Sequence, residues 1–221
     1  MRECPRFRLC FAGLLLLTLA SSSLVAAPRQ HSITFGNWRT VQTDNETPGS
    51  PAVRIRELMI DGRVREYTSG ALHEVTDRLF VIRRAQRLND SLPGEAGRRS
   101  RWIWRLEGWI SVDRQTGHVA QLNLPAFDPD SSAATWYRDY VAYCGSSEDG
   151  AHTYTIVFQL GKRKPLLKKE AAGAPAACSQ PAWERNPARV TFNVAGEKSS
   201  FVLRARNAES QAESNTAEGP E

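Results

Sequence analysis

The sequence predicts an all-β domain, an antiparallel meander of hairpins arranged as a sandwich, a barrel or a small propeller-like body, with one disulfide. Three observations carry that expectation. No segment of about ten residues or more shows an amphipathic helical pattern. Runs rich in β-branched and aromatic residues recur along the chain. Turn residues separate these runs at regular spacing, which is the pattern of sandwiches and barrels.

The elements follow in order. Ser32 to Gln42 has strand composition, and Thr43 to Pro51 is a polar loop. Val53 to Ile60 and Arg63 to Tyr67 flank Asp61-Gly62. That dipeptide between two such runs signals a hairpin, because a type I′ turn needs positive φ at both central positions. Thr68 to Asp77 reads as a connection and Arg78 to Leu88 as a strand, on the strength of Leu79-Phe80-Val81-Ile82. Asn89 to Ser100 is a polar loop. Arg101 to Leu106 and Gly108 to Asp113 read as two strands. Asp113 to Gly117 is a turn in which Asp bonds its own backbone, and His118 to Leu124 returns. Pro125 to Ser132 is a loop.

Trp136 to Lys169 concentrates the aromatic residues. It reads as strands over Trp136 to Cys144, Tyr154 to Leu160 and Lys164 to Lys168, with a turn at Glu148-Asp149-Gly150. Pro165 suits an edge position, since it has no N–H for a ladder. Glu170 to Pro187 reads as an irregular loop pinned back by Cys178. Arg189 to Val194 and Ser199 to Arg204 form a last hairpin around Ala195-Gly196.

The first residues have the pattern of a cleavable signal peptide, expected to span 1–26. Arg2, Arg6 and Arg8 are basic, Leu9 to Ala20 is apolar, and Ser21 to Ala27 is rich in small residues. The apolar run is short for the ~20 residues that a membrane span requires. A secreted or periplasmic protein with no integral span after cleavage is therefore expected. Residues 28–206 then form one domain, and 207–221, with no apolar residue beyond alanine, an acidic disordered tail. Cys4 and Cys10 leave with the signal, and Cys144 and Cys178 remain to pair in an oxidising compartment.

The chain carries a formal net charge of +5; the leader holds +2 and the tail −4, so the residues between them carry +7. Basic residues cluster. Arg83, Arg84 and Arg87 form one group with Arg78, and Arg98, Arg99 and Arg101 another with Arg105. Lys162, Arg163, Lys164, Lys168 and Lys169 form a third. Such density attracts polyanions, and Trp102, Trp104, Trp109 and Tyr137 lie near these clusters in sequence. These eleven cations, from Arg83 to Lys169, are the candidate binding residues; the competing reading is ordinary solvated surface.

Gly108-Trp-Ile-Ser-Val-Asp-Arg-Gln-Thr-Gly-His-Val-Ala-Gln-Leu122 resembles the third and fourth strands of a β-propeller blade. Asp139-Tyr-Val-Ala-Tyr-Cys-Gly-Ser-Ser-Glu-Asp-Gly150 is similar to a second strand and turn of TolB-like or WD40-type repeats. The resemblance covers Trp102 to Lys169 and implies a propeller or a propeller fragment. The chain is also similar to exported bacterial proteins.

Signals for catalysis are sparse. His31, His73, His118 and His152 show no metal-ligand spacing, and no nucleophile elbow or phosphate-cradling loop is present. Asp128, Asp130, Glu148 and Asp149 offer oxygens but no complete calcium loop. No cofactor, metal or specific nucleic-acid partner is expected. The expected function is a non-catalytic binding or scaffold domain for an anionic polymer of the envelope or extracellular space. A hydrolase of an envelope polymer, using acids such as Glu57, Glu66, Asp113 and Asp139, is the alternative, and a protein-docking module is a third reading.

Overall fold

The computed structural model describes residues 31–43, 51–89, 102–174 and 177–203. The expected signal peptide, the loop carrying Arg98 and Arg99, Arg101 itself and the acidic tail lie outside the described residues. Among the described residues the chain is nearly all β, in three antiparallel sheets.

The first sheet holds β1 (Ile33–Phe35), β2 (Arg39–Gln42), β3 (Ala52–Ile60), β4 (Arg63–Glu74), β5 (Leu79–Asn89), β6 (Trp102–Asp113) and β7 (Val119–Gln121). Its order is β1-β3-β4-β5-β6-β7, and β2 also pairs with β3. Asp61 (φ 53°) and Gly62 (φ 73°) make the expected β3–β4 turn. Residues 68–77, expected as a connection, are mostly strand. β4 runs on to Glu74, and Gly70 (φ 73°) absorbs an irregularity between Ser69 and His73. The two strands expected between Arg101 and Asp113 are the single strand β6. Glu107 and Gly108 together oppose Arg84, so a β-bulge, and no turn, accommodates the glycine.

One face of this sheet buries Leu58, Phe80, Ile82, Ile110 and Val112, with Ile33, Phe35, Leu72 and Val119 packed against them. Burying each such side chain stabilises by about 1.5–3 kcal/mol. The sheet curls around this cluster without closing. A Cβ at Gly117, in the β6–β7 turn, would meet Ile60 Cγ2 at 3.0 Å and His31 Cγ at 3.1 Å, so the two edges nearly touch there. Arg56 lies 4.0 Å from the Phe35 ring centroid and Arg114 lies 4.8 Å from that of Phe80.

The second sheet holds β8 (Thr135–Tyr137), β9 (Tyr140–Ser146), β10 (Thr153–Gln159) and β11 (Leu167–Ala171), in the order β11-β10-β9-β8. The run from Trp136 to Cys144 is two strands, because Arg138 (φ 53°) turns the chain. β11 starts later than expected: Lys164 and Pro165 precede it, and Leu166 closes the turn by donating its N–H to Val157. The third sheet is β12 (Ala182–Arg185), β13 (Ala188–Val194) and β14 (Glu197–Val202), paired in sequence order. β12 falls where an irregular loop was expected; Trp183 gives it an apolar anchor. The segments that resemble blade strands divide between the first and second sheets.

The second and third sheets pack face to face. Ala142, Cys144 and Val157 meet Val190, Phe192 and Val194. The opposite face of the second sheet buries Val141, Tyr143, Ile156 and Phe158 under the segment 124–134. Tyr143 donates its hydroxyl to the Pro125 carbonyl (2.8 Å), and Ser132 donates to the Cys144 carbonyl (2.6 Å). Burial pushes the Tyr143 phenol above its ordinary pKa. The expected disulfide is present: Cys144 and Cys178 are bonded with Cα atoms 6.3 Å apart.

Gly145 is where the covering segment comes closest to the sheet. A Cβ there would collide with the Ala126 carbonyl oxygen and lie 2.9 Å from Ile156 Cδ1. We therefore expect Gly145→Ala to destabilise the fold by about 1–3 kcal/mol. Urea unfolding of the oxidised protein measures this, and an unchanged midpoint would contradict the packing described.

Candidate functional site

The arginines of β5, expected to act as one group, have three different environments. Arg83 reaches across to the second sheet's covering segment. It donates to the Glu107 carbonyl (3.3 Å) and the Pro129 carbonyl, and lies 6.0 Å from the Phe127 ring centroid. Burial lowers its pKa from the ordinary value, while Asp130 and Asp128 act in the opposite sense. Arg84 pairs with Glu66 (2.8 Å). Arg83 and Arg84 are thus both part-buried and engaged in contacts within the protein. Only Arg87 stays exposed, 5.1 Å from the centroid of exposed Trp102. Alternation puts Arg84 on the opposite side of the sheet from Arg83 and Arg87, and the contact with Pro129 distinguishes Arg83 from Arg87 on the shared side.

The lysine-rich group stays together. Lys162, Arg163 and Lys164 are exposed in the turn that follows β10. Lys168 and Lys169 are exposed on β11, the edge strand of its sheet. Register puts the two on opposite faces, Lys168 beside Ile156 and Lys169 beside Thr155. Lys168 Nζ lies 4.2 Å from the Tyr154 ring centroid, an arrangement worth about 0.5–1 kcal/mol at an exposed site. Lys169 lines a cleft of about 80 Å³ with Thr155, Glu170, Ala171, Glu197 and Ser199. The carboxylate nearest in sequence, Glu170, is engaged with His152 Nδ1 at 2.8 Å. Hydrogen bonding to Glu170, reinforced by its charge, raises the His152 pKa above the ordinary 6.5.

The acids proposed for a hydrolase do not converge. Glu57 and Glu66 face opposite sides of the first sheet, bound to Arg39 (2.7 Å) and Arg84. Asp113 ends β6, bound to Arg78 (2.5 Å) and to the Gln115 and Thr116 N–H groups, which hold its carboxyl far below the usual range. Asp139 lies in the β8–β9 turn, where it accepts from Gln159 Nε2 (2.7 Å). Asp128 spends its oxygens on the Asp130 N–H and the Ser131 hydroxyl, which makes it a turn former. Among the described residues no group of three or more His, Cys, Asp or Glu side chains is placed to hold a metal. His73 is no free strand histidine: it donates to the Arg138 carbonyl (2.7 Å) and stacks on Trp136.

Exposed Trp38 carries Arg54 and Arg56 over its ring, at 5.2 and 4.4 Å from the centroid. Arg54-x-Arg56 has the strand period, which signals that both arginines share a face, but nothing local tells that Trp38 lies there.

Two outcomes follow. Arg83→Met should cost about 1–2 kcal/mol in urea unfolding, by leaving part-buried carbonyls without their charged donor, while heparin affinity stays within twofold of wild type. His152 should titrate above 6.5 by NMR, and Glu170→Gln should return it to the ordinary range. The sign follows from the raised folded value. Any stabilisation from this pair is complete below the unfolded pKa and is lost as pH rises through the folded one.

No protein-family model, curated protein or solved structure matches the chain.

Proposed function

We propose that this protein is an exported, non-catalytic module that binds an anionic polymer of the envelope or extracellular space. The contact surface is the 162–164 turn together with Lys168 and Lys169 of β11. One observation carries the reading. These five cations fall within eight residues, all exposed, and none makes an ion pair with a described residue. By contrast Arg39, Arg78, Arg84 and Arg114 of the first sheet each sit on a carboxylate. Unpaired cations retain their counterions, and releasing those counterions drives polyanion binding. The edge strand presents Lys168 and Lys169 on its two faces, and the turn before it carries the other three. The Cys144–Cys178 disulfide supports an oxidising compartment, where envelope and extracellular polymers are met.

Heparin serves as the soluble polysulfated probe. Its association constant should fall log-linearly with salt. Converting Lys162, Arg163, Lys164, Lys168 and Lys169 to Gln should lower that slope by about 3–5, roughly one for each contact removed. A wild-type protein that binds neither heparin nor polyphosphate at low salt would sink the reading, as would an unchanged slope in the five-site variant.

A further inference from the structure

We propose that the acidic C-terminal segment, residues 207–221, docks on the basic turn and edge strand of its own chain and shields them from the anionic polymer. The inference adds a regulatory partner to the surface just described, and its role in shielding rests on that reading.

The argument begins with where the chain leaves the last strand. Trp183, Val190 and Phe201 form one row across the third sheet. The Trp183 ring stacks on Tyr137 at 5.4 Å and its indole N–H donates to the Thr135 carbonyl (3.3 Å). Thr135, Ala142, Val157 and Leu167 form one row across the second sheet. These two rows therefore lie at the same end of the sandwich. At the other end Val194, Glu197 and Ser199 line the cleft with Lys169 and Ala171. β14 thus runs from the cleft toward the Leu167 row, and Leu203 packs on the same cluster as Leu167. The turn holding Lys162, Arg163 and Lys164 joins β10 to β11 at that end as well.

Charge and length complete it. The segment 207–221 carries Glu209, Glu213, Glu218 and Glu221 and no basic residue, a charge of −4 against the +5 of the cluster. Glu209 is six residues beyond Leu203, within about 20 Å of extended chain. The acids are spaced three to five residues apart, so an extended segment brings them to successive cations. Tethering sets an effective concentration on the order of millimolar, so contacts that are weak one by one are populated within a single chain. Exposed charges are screened over about 10 Å at 0.1 M salt, so the docking belongs to low and moderate ionic strength.

The test needs no polymer. Amine acylation is followed by mass spectrometry in the full mature chain and in a variant with all four of these glutamates changed to Gln. At low salt Lys162, Lys164, Lys168 and Lys169 should react about threefold faster in the variant. Lys198, on the face of β14 turned away from the Glu197 and Ser199 that line the cleft with Lys169, is the internal reference and should not change. The difference should vanish at high salt. Equal rates at the four lysines would overturn the inference, and so would a difference that grows with protein concentration, because the tail would then be contacting a second copy. Heparin affinity, measured in parallel, should tighten about tenfold in the variant. Heparin bound equally by both proteins, with equal acylation, leaves the polymer reading standing and removes the tail. Acylation that changes in a protein that never binds heparin keeps the tail contact and removes the polymer.

Discussion

The two-sided burial of β9 and β10 is the constraint on which the rest depends. Val141, Ala142, Tyr143, Cys144, Ile156 and Val157 are all at most 1% exposed, so neither face of this strand pair meets water. A strand that is apolar on both faces needs two covers. The third sheet supplies one, tied by the disulfide and by the Trp183 contacts with Thr135 and Tyr137. The segment 124–134 supplies the other, and it is irregular backbone laid on a sheet. Its polar groups must be satisfied where they lie. Tyr143, Ser132 and the Ser146 N–H do that work, the last by donating to the Ala126 carbonyl (2.9 Å).

The same covering segment joins the first sheet to the second. Arg83 reaches the Pro129 carbonyl from β5, and His73 reaches the Arg138 carbonyl from β4. Trp136 packs between these elements, edge-on to Trp109 at 5.3 Å and stacked on His73 at 5.8 Å. A cation suits this joint because a planar guanidinium donates to several carbonyls at once and also lies on a ring. The irregular segment is therefore sandwiched between donors from both sheets.

The protein divides its cations by chemistry. Several arginines of the first sheet are spent on carboxylates and aromatic rings, as in Arg39–Glu57 and Arg56 between Phe35 and Trp38, while Arg63 and Arg65 of β4 stay exposed. All five lysines come at or after residue 162, and four of them stand in the turn and on the edge strand. A compact, strongly hydrated ammonium gains little from stacking and keeps its counterions in solution. An edge strand lined with lysines also discourages pairing with another sheet edge, so this surface blocks strand addition while presenting positive charge.

Local chemistry was enough to read much of this from the sequence. Period-2 patterning and the Asp61-Gly62, Asp113-to-Gly117 and Ala195-Gly196 turns determine the hairpins, because φ preferences act over two to four residues. The disulfide was legible because only two cysteines follow residue 10. The lysine cluster was legible because it is contiguous and lies where the chain turns at an edge. Tertiary structure decided the rest. Whether Gly108 ends a strand or sits in a bulge depends on the partner strand, as does the continuation of β4 through Gly70. The fate of each arginine depends on what lies across from it: Pro129 for Arg83 is 46 residues away and Glu66 for Arg84 is 18 away. A run of basic residues states how much charge is present. Only the fold, by placing acceptors opposite some of those side chains and water opposite others, determines which of that charge is free to bind.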